Sequence, residues 1–226
     1  MAAVKARCDW DWSGAELEAK RAIELNPSSA DGHHVRSVAL RIVGRTDEGI
    51  VEMKRAVELD PLPPLRRWGL GLTLYLARHY DEAAEQFRKA LEREADFVSA
   101  HIGLGDVYVE KGNLPEAIRE YQRALAVPGG SRQAMAKLGY AYAVVGRRKE
   151  AESLLHNLKE LDVPLHWVAE VYIGLGQKQE ALACLEKAVQ TRRGGGMYML
   201  RDDPHFDSLR SDPRFTDLLR RLGLPP

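Results

Sequence analysis

Small residues recur along the chain every 34 positions, at Ala15, Gly49, Ala83, Ala117 and Ala151, and a second column runs Ala22, Ala56, Ala90 and Ala124 in the same register. Between the columns sits a third position, Ala19, Met53, Phe87, Tyr121 and Leu155, four residues after the first column and three before the second. Spacings of three and four put all three positions on one face of one helix. A second stripe precedes each of these helices: Leu70, Gly71 and Leu74; Leu104, Gly105 and Tyr108; Leu138, Gly139 and Tyr142; Val168, Ala169 and Tyr172. A large residue followed by a small one lets two helices approach closely, so the repeating unit is a hairpin of two helices. Gly44, Gly112, Gly146 and Gly176 fall between the two stripes, where a left-handed turn residue costs glycine little. Arg78 fills that slot in the third unit, which predicts a different turn there. LNPSSA at 25–30 and LDPLPP at 59–64 end second helices, because proline cannot continue the hydrogen-bond ladder.

This register divides the chain into a truncated first repeat at 1–29 (mainly its second helix) and repeats at 30–63, 64–97, 98–131, 132–161 and 162–191. A linker and helical cap follow at 192–226. The interval from Ala151 to Ala181 is 30 rather than 34, which predicts a shorter loop around Leu161 to Pro164 and a tilted last hairpin. DWDWSGAELEAKRAIELNP reads as the middle of an array. A longer parent chain is therefore expected, with Trp10 and Trp12 at an open apolar edge. After Thr191 the repeat stops, and RRGGG reads as a flexible joint. The tail then carries two aspartate-proline helix starts and an apolar series, Phe206, Leu209, Phe215, Leu218, Leu219 and Leu222, suited to covering the last face of the array.

These columns resemble the tetratricopeptide repeat family, whose 34-residue unit pairs a Leu-Gly-x-x-Tyr first helix with an Ala-x-x-x-Phe-x-x-Ala second helix. HIGLGDVYVEKGNLPEAIREYQRALAV in the fourth unit matches that pattern most closely, and the likeness spans residues 10 to 190. Arg36, Ser37 and Gly49 in the second unit and Leu158 in the fifth depart from it. The resemblance implies an all-α, right-handed superhelical solenoid of antiparallel hairpins with a C-terminal cap, binding a polypeptide along a surface lined by first helices. Carried over by register, that groove comprises His34, Val38 and Arg41; Trp68, Leu72 and Tyr75; Ile102, Asp106 and Val109; then Ala136, Tyr140 and Ala143. Family members that grip a C-terminal carboxylate use lysine and asparagine there, whereas this chain offers tryptophan, leucine and isoleucine. An apolar strip with aromatic anchors suits an amphipathic helix or an extended peptide with hydrophobic side chains. The tail, with DPRF and a leucine-rich end, resembles the ends of repeat modules in bacterial multidomain signalling proteins.

Composition removes other classes. Thirty-three basic residues balance 33 acidic ones, and the basic clusters have acidic neighbours, so no field favours nucleic acid or an anionic membrane. No apolar run approaches the roughly 18 residues of a membrane span, and no signal-like segment opens the chain, which together predict a cytoplasmic protein. Cys8 and Cys184 lie too far apart in sequence for a multi-bridge framework or a zinc site of their own. His33 and His34, adjacent on a helix, diverge by about 100° and cannot share a metal, and with His101 and His166 they read as structural. Gly69-Leu-Gly71, Gly103-Leu-Gly105 and Gly174-Leu-Gly176 lie in first helices, not after strands, and read as packing glycines. Asp9, Asp11, Asp202 and Asp203 precede helix starts and read as caps. No catalytic constellation, metal or cofactor is expected. Two roles stand: a scaffold gripping a partner's peptide or helix in the groove, or an architectural module pairing with a second copy, or with the rest of a larger protein, through the N-terminal edge.

Overall fold

The computed structural model of the chain describes residues 12–191 and 196–225, with backbone alone at Trp12 and Ser13. Every regular element among them is helical. Two compact units are formed, one up to Ala95 and one from Asp96 to Leu222.

In the N-terminal unit α1 (Trp12–Leu25) packs on α2 (Ala30–Ile42). Two hairpins follow, α2 with α3 (Thr46–Leu59) and α4 (Pro64–Leu76) with α5 (Tyr80–Arg93). The C-terminal unit continues the pattern with α6 (Val98–Glu110) and α7 (Leu114–Ala126), α8 (Arg132–Val144) and α9 (Arg148–Glu160), and α10 (Leu165–Gly174) and α11 (Lys178–Thr191). Two 3₁₀ turns, Met197–Met199 and Pro204–Leu209, lead to α12 (Pro213–Arg221).

The small-residue columns are the contact seams. Ala83, Ala117, Ala151, Ala56, Ala90 and Ala124 are fully buried, and so are Met53, Phe87 and Tyr121 between them. Ala22 is the exception and is exposed, since α1 packs chiefly on α2. Close approach is literal: a Cβ on Gly71 would lie 2.7 Å from Phe87 Cδ1, and one on Gly49 2.9 Å from the Ser37 carbonyl oxygen. The departure at Gly49 thus lets α3 sit against the α2 backbone, where an alanine would not fit. Of the paired glycines, Gly176 is not a packing residue. It lies beyond the end of α10, in the turn, at φ 75°.

The hairpin turns share one geometry. Gly44 N–H donates to the Arg41 carbonyl at 3.0 Å and Arg45 N–H to that of Leu40 at 2.8 Å. Arg78 and His79 repeat this, bonding Tyr75 and Leu74 at 2.9 Å each. The third turn is therefore not different: Arg78 adopts φ 67° despite its Cβ, because both bonds at the helix end require the left-handed residue.

The short interval also resolves differently from the sequence reading. The loop 161–164 is as long as 60–63 and 94–97 and one residue shorter than 127–131; three of the four lost residues fall in α10, with ten residues against 13 in each of α2, α4, α6 and α8. Pro164 is its N-cap, and the residue before a proline is disfavoured in helical conformation, so α10 cannot start earlier.

The tail series is buried throughout, from Leu209 at 0 % exposure to Leu219 at 4 %. Asp203 and Asp212 accept the N–H groups of His205 and Arg214 as caps. The first aspartate-proline start opens a 3₁₀ turn and the second an α-helix. Arg214 holds α12 to α11 through Glu186 (2.8 Å) and Gln179 (2.7 Å).

Candidate functional site

The first helices of each unit carry the residues assigned to a partner surface, and the structure sorts them. In the N-terminal unit His34 and Val38 on α2, and Trp68 and Leu72 on α4, are half-buried and present part of their surface. Arg41 and Tyr75 are buried, at 3 % and 2 % exposure, and are covered by the chain itself. Between α2 and α4 the buried Arg66 binds Asp31, lies 3.4 Å from Asp60 Oδ2, and places Nη1 3.2 Å from His34 Nδ1. Burial, and then the Arg66 charge, push the His34 pKa below the usual histidine value, while Arg66 holds the Asp31 carboxyl below its own. His34 therefore presents an uncharged ring beside Arg66. Trp10 lies outside the described residues, and of Trp12 only the backbone at the start of α1 is described, so the open edge read from them is not among the described side chains.

Elsewhere the histidines tie hairpins together. His33 Nδ1 lies 2.5 Å from Glu52 Oε2 and His101 Nδ1 2.6 Å from Glu120 Oε2, while Arg67 Nη1 bonds Gln86 Oε1 at 3.1 Å in the same slot of the hairpin between them. Each pair spans 19 residues and sets the register of two helices.

In the C-terminal unit half of the assigned surface is covered. Ile102 and Asp106 are buried, at 4 % and 7 %, and Ala136 is fully buried; Val109, Tyr140 and Ala143 are half-buried. Continuing the register through the 30-residue interval adds His166 and Glu170 on α10, one repeat after Ala136 and Tyr140. Both are buried, at 4 % and 2 %.

Their neighbours form a buried ionic cluster. Lys137 Nζ on α8 lies 3.4 Å from Asp106 Oδ1 on α6 and 3.1 Å from Glu170 Oε2 on α10. Tyr121 donates its hydroxyl to Asp106 at 2.7 Å. The tail completes the cluster: Asp203 Oδ1 lies 2.9 Å from His205 Nδ1, which is 3.4 Å from Lys137 Nζ, and His205 Nε2 faces Asp106 at 3.7 Å. The Tyr140 and His205 rings meet edge-on at 4.7 Å.

Burial opposes every charge here, and the neighbours decide the outcome. Asp106, Glu170 and Asp203 outweigh burial at Lys137 and raise its pKa. Lys137 and His205 hold Asp203 well below the carboxylate range, and Asp203 and Asp106 hold His205 above the usual histidine value against burial and Lys137. The remaining acid, Glu170, is pushed up by burial against the opposing pull of Lys137 and His205. Burial, with Lys137 behind it, drives His166 down to about 4, and its Nδ1 has no hydrogen-bond partner.

Lys137, Glu170, Asp203 and His205 were not assigned to the surface by sequence. Glu170 and His166 were reachable by carrying the register across the shortened repeat; the tail residues had no repeat slot to betray them.

A family model described as tetratricopeptide repeat matches residues 68–133 and 102–162, and a second of the same description matches 164–193, together more than half of the chain. Comparison with curated protein sequences returns no match. Among solved structures, PilW, described as a widely conserved type IV pilus biogenesis factor, is similar at 17% identity and TM-score 0.64, covering 88% of this chain and 94% of its own. TTC0263, a thermophilic repeat protein of Thermus thermophilus, is similar at 24% identity and TM-score 0.61, with 85% and 100% covered. The Cut9-Hcn1 hetero-tetramer is similar at 19% identity and TM-score 0.62, with 94% and 39% covered. At these identities the likeness is one of fold.

Proposed function

The chain belongs to the tetratricopeptide repeat family, and from that membership we propose that it is a protein-interaction scaffold whose first-helix face in the N-terminal unit grips an apolar peptide or helix of a partner. The observation that carries this is the half-buried quartet His34, Val38, Trp68 and Leu72 on neighbouring helices, with no lysine or asparagine among the four. An indole and a leucine held by their own helix lose little conformational freedom on binding and supply most of the energy of a small interface. Burial and Arg66 keep His34 uncharged, so the strip stays apolar at neutral pH. The ligand class is accordingly a segment with hydrophobic side chains rather than a carboxylate terminus. No helix among the described residues is long and apolar enough to cross a membrane, in keeping with a scaffold working in the cytoplasm.

A peptide library selected on the full chain tests the reading. Selected peptides carry spaced apolar residues and weaken at least tenfold against Trp68→Ala, with circular dichroism unchanged. Equal affinity for wild type and variant would place the ligand elsewhere and overturn it.

The architectural reading has one observation of its own. Leu17 and Leu25 on α1 are 67 % and 81 % exposed, and pairing of that helix with a second copy would cover them. Light scattering over a concentration series decides it: a dimer lost in Leu17→Glu supports the pairing, and a monomer at every concentration removes it.

A further inference from the structure

A cap on a helical array need only cover the apolar face of the last helix. Phe215, Leu218 and Leu219 on α12, with Arg214 bonded to α11, already do that. The turn Pro204–Leu209 does something capping does not require. It brings His205, paired with Asp203, back to Lys137 on α8 and Asp106 on α6, beside Tyr140. That face carries, in corresponding slots of successive first helices, Ile102 and Asp106, Ala136 and Tyr140, His166 and Glu170. These are the slots that the register assigns to a ligand.

The chemistry of the contact is that of recognition rather than of covering. Lys137, Glu170, Asp106, Asp203 and His205 are all more than nine-tenths buried. Apolar contacts hold two elements together as well as or better than buried charges, which must be paired to be tolerated at all. What a charged cluster adds is selection: a turn seats here only if it brings an acidic side chain paired with an imidazole that meets Lys137 and Asp106. His166 Nδ1, buried and without a hydrogen-bond partner, is a polar position on the same helix as Glu170 that the chain's own tail leaves unmet.

Resting on the reading of first-helix faces as binding surfaces, we propose that the face around Lys137 is a second peptide site, specific for a turn of the type Asp-Pro-His-Phe. Its intramolecular occupant is Asp203–Phe206, and a partner polypeptide bearing such a turn is its occupant in trans. The aspartate caps the turn and pairs with the histidine, whose Nδ1 faces Lys137 and whose Nε2 faces Asp106, with its ring edge-on to Tyr140, and the phenylalanine anchors the turn in the apolar layer where Phe206 stacks on Phe215 at 6.4 Å. The tail is thus a built-in competitor, and a partner must displace it.

The probe is a fluorescent synthetic peptide with the sequence of residues 197–225, titrated by anisotropy into the full chain. The wild type binds it poorly, because a tethered tail competes at an effective concentration on the order of millimolar. The full chain carrying Asp203→Asn and His205→Ala binds it at least tenfold more tightly, and hydrogen exchange shows the amides of 197–210 opening while those of α6 and α8 stay protected. Adding Lys137→Met removes the gain. Tyr140→Ala, which unpairs no charge, reduces it should the lysine variant fold poorly by circular dichroism. A variant tail as protected as the wild-type tail overturns the proposal, as does a released tail without tighter peptide binding, or a gain that survives both Lys137→Met and Tyr140→Ala. The Trp68 selection reads a different unit, so the two proposals fail separately.

Discussion

Acidification should destabilise the chain through His166. The ring is buried and Lys137 adds repulsion to its protonated form, which together hold the pKa at about 4 against 6.5 for a free histidine. A depressed folded pKa means that the unfolded chain binds the proton first, so stability is complete above pH 6.5 and declines as the pH falls toward 4. Between pH 7.5 and 4.5 the difference amounts to roughly 2.5 kcal/mol, at about 1.4 kcal/mol per pKa unit. His205 and Glu170 work the other way. Both pKa values are raised, so stability from His205 is present below 6.5 and lost on going up through its folded pKa, and protonation of Glu170 relieves burial on going down. The His166 contribution is isolated by comparison with His166→Leu. Urea unfolding of both proteins at pH 7.5 and 4.5 gives two stability losses, and the wild-type loss exceeds that of the variant by roughly 2.5 kcal/mol, whatever the substitution costs at neutral pH. Equal losses, or an imidazole signal at position 166 titrating near 6.5 by NMR, would refute the reasoning.

Two further expectations concern packing and backbone. Gly105→Ala places a Cβ 2.6 Å from Tyr121 Cδ1, and that ring is fully buried with its hydroxyl on Asp106; the overpacking costs about 2 kcal/mol in urea unfolding, beyond the helix propensity gained. Arg78→Gly relieves a left-handed residue whose side chain is exposed and raises stability by about 1 kcal/mol, read as a higher thermal midpoint; no change would mean that the turn holds no strain.

The local architecture was legible because each helix face is a matter of spacing within some 15 residues. Small columns at 34, the large residue between them and the turn glycines each act through nearest neighbours, and the helices fall where those columns put them. Ala56, Phe87, Ala117 and Tyr121 were placed in the seam by register alone. Tertiary structure decided what spacing does not encode. Arg78 takes a glycine conformation because two backbone bonds at a helix end outweigh its Cβ, and α10 lost its first turn because Pro164 fixes where a helix can start. Burial sorted the assigned surface, leaving Trp68 and Leu72 half open and covering Tyr75, Ile102 and Asp106, since one slot faces outward or inward according to what packs over it. The buried cluster depended on folding most of all. Lys137 and His205 are 68 residues apart, outside any repeat relation, and only the return of the tail across α10 brings their charges together, where burial makes the pairing obligatory.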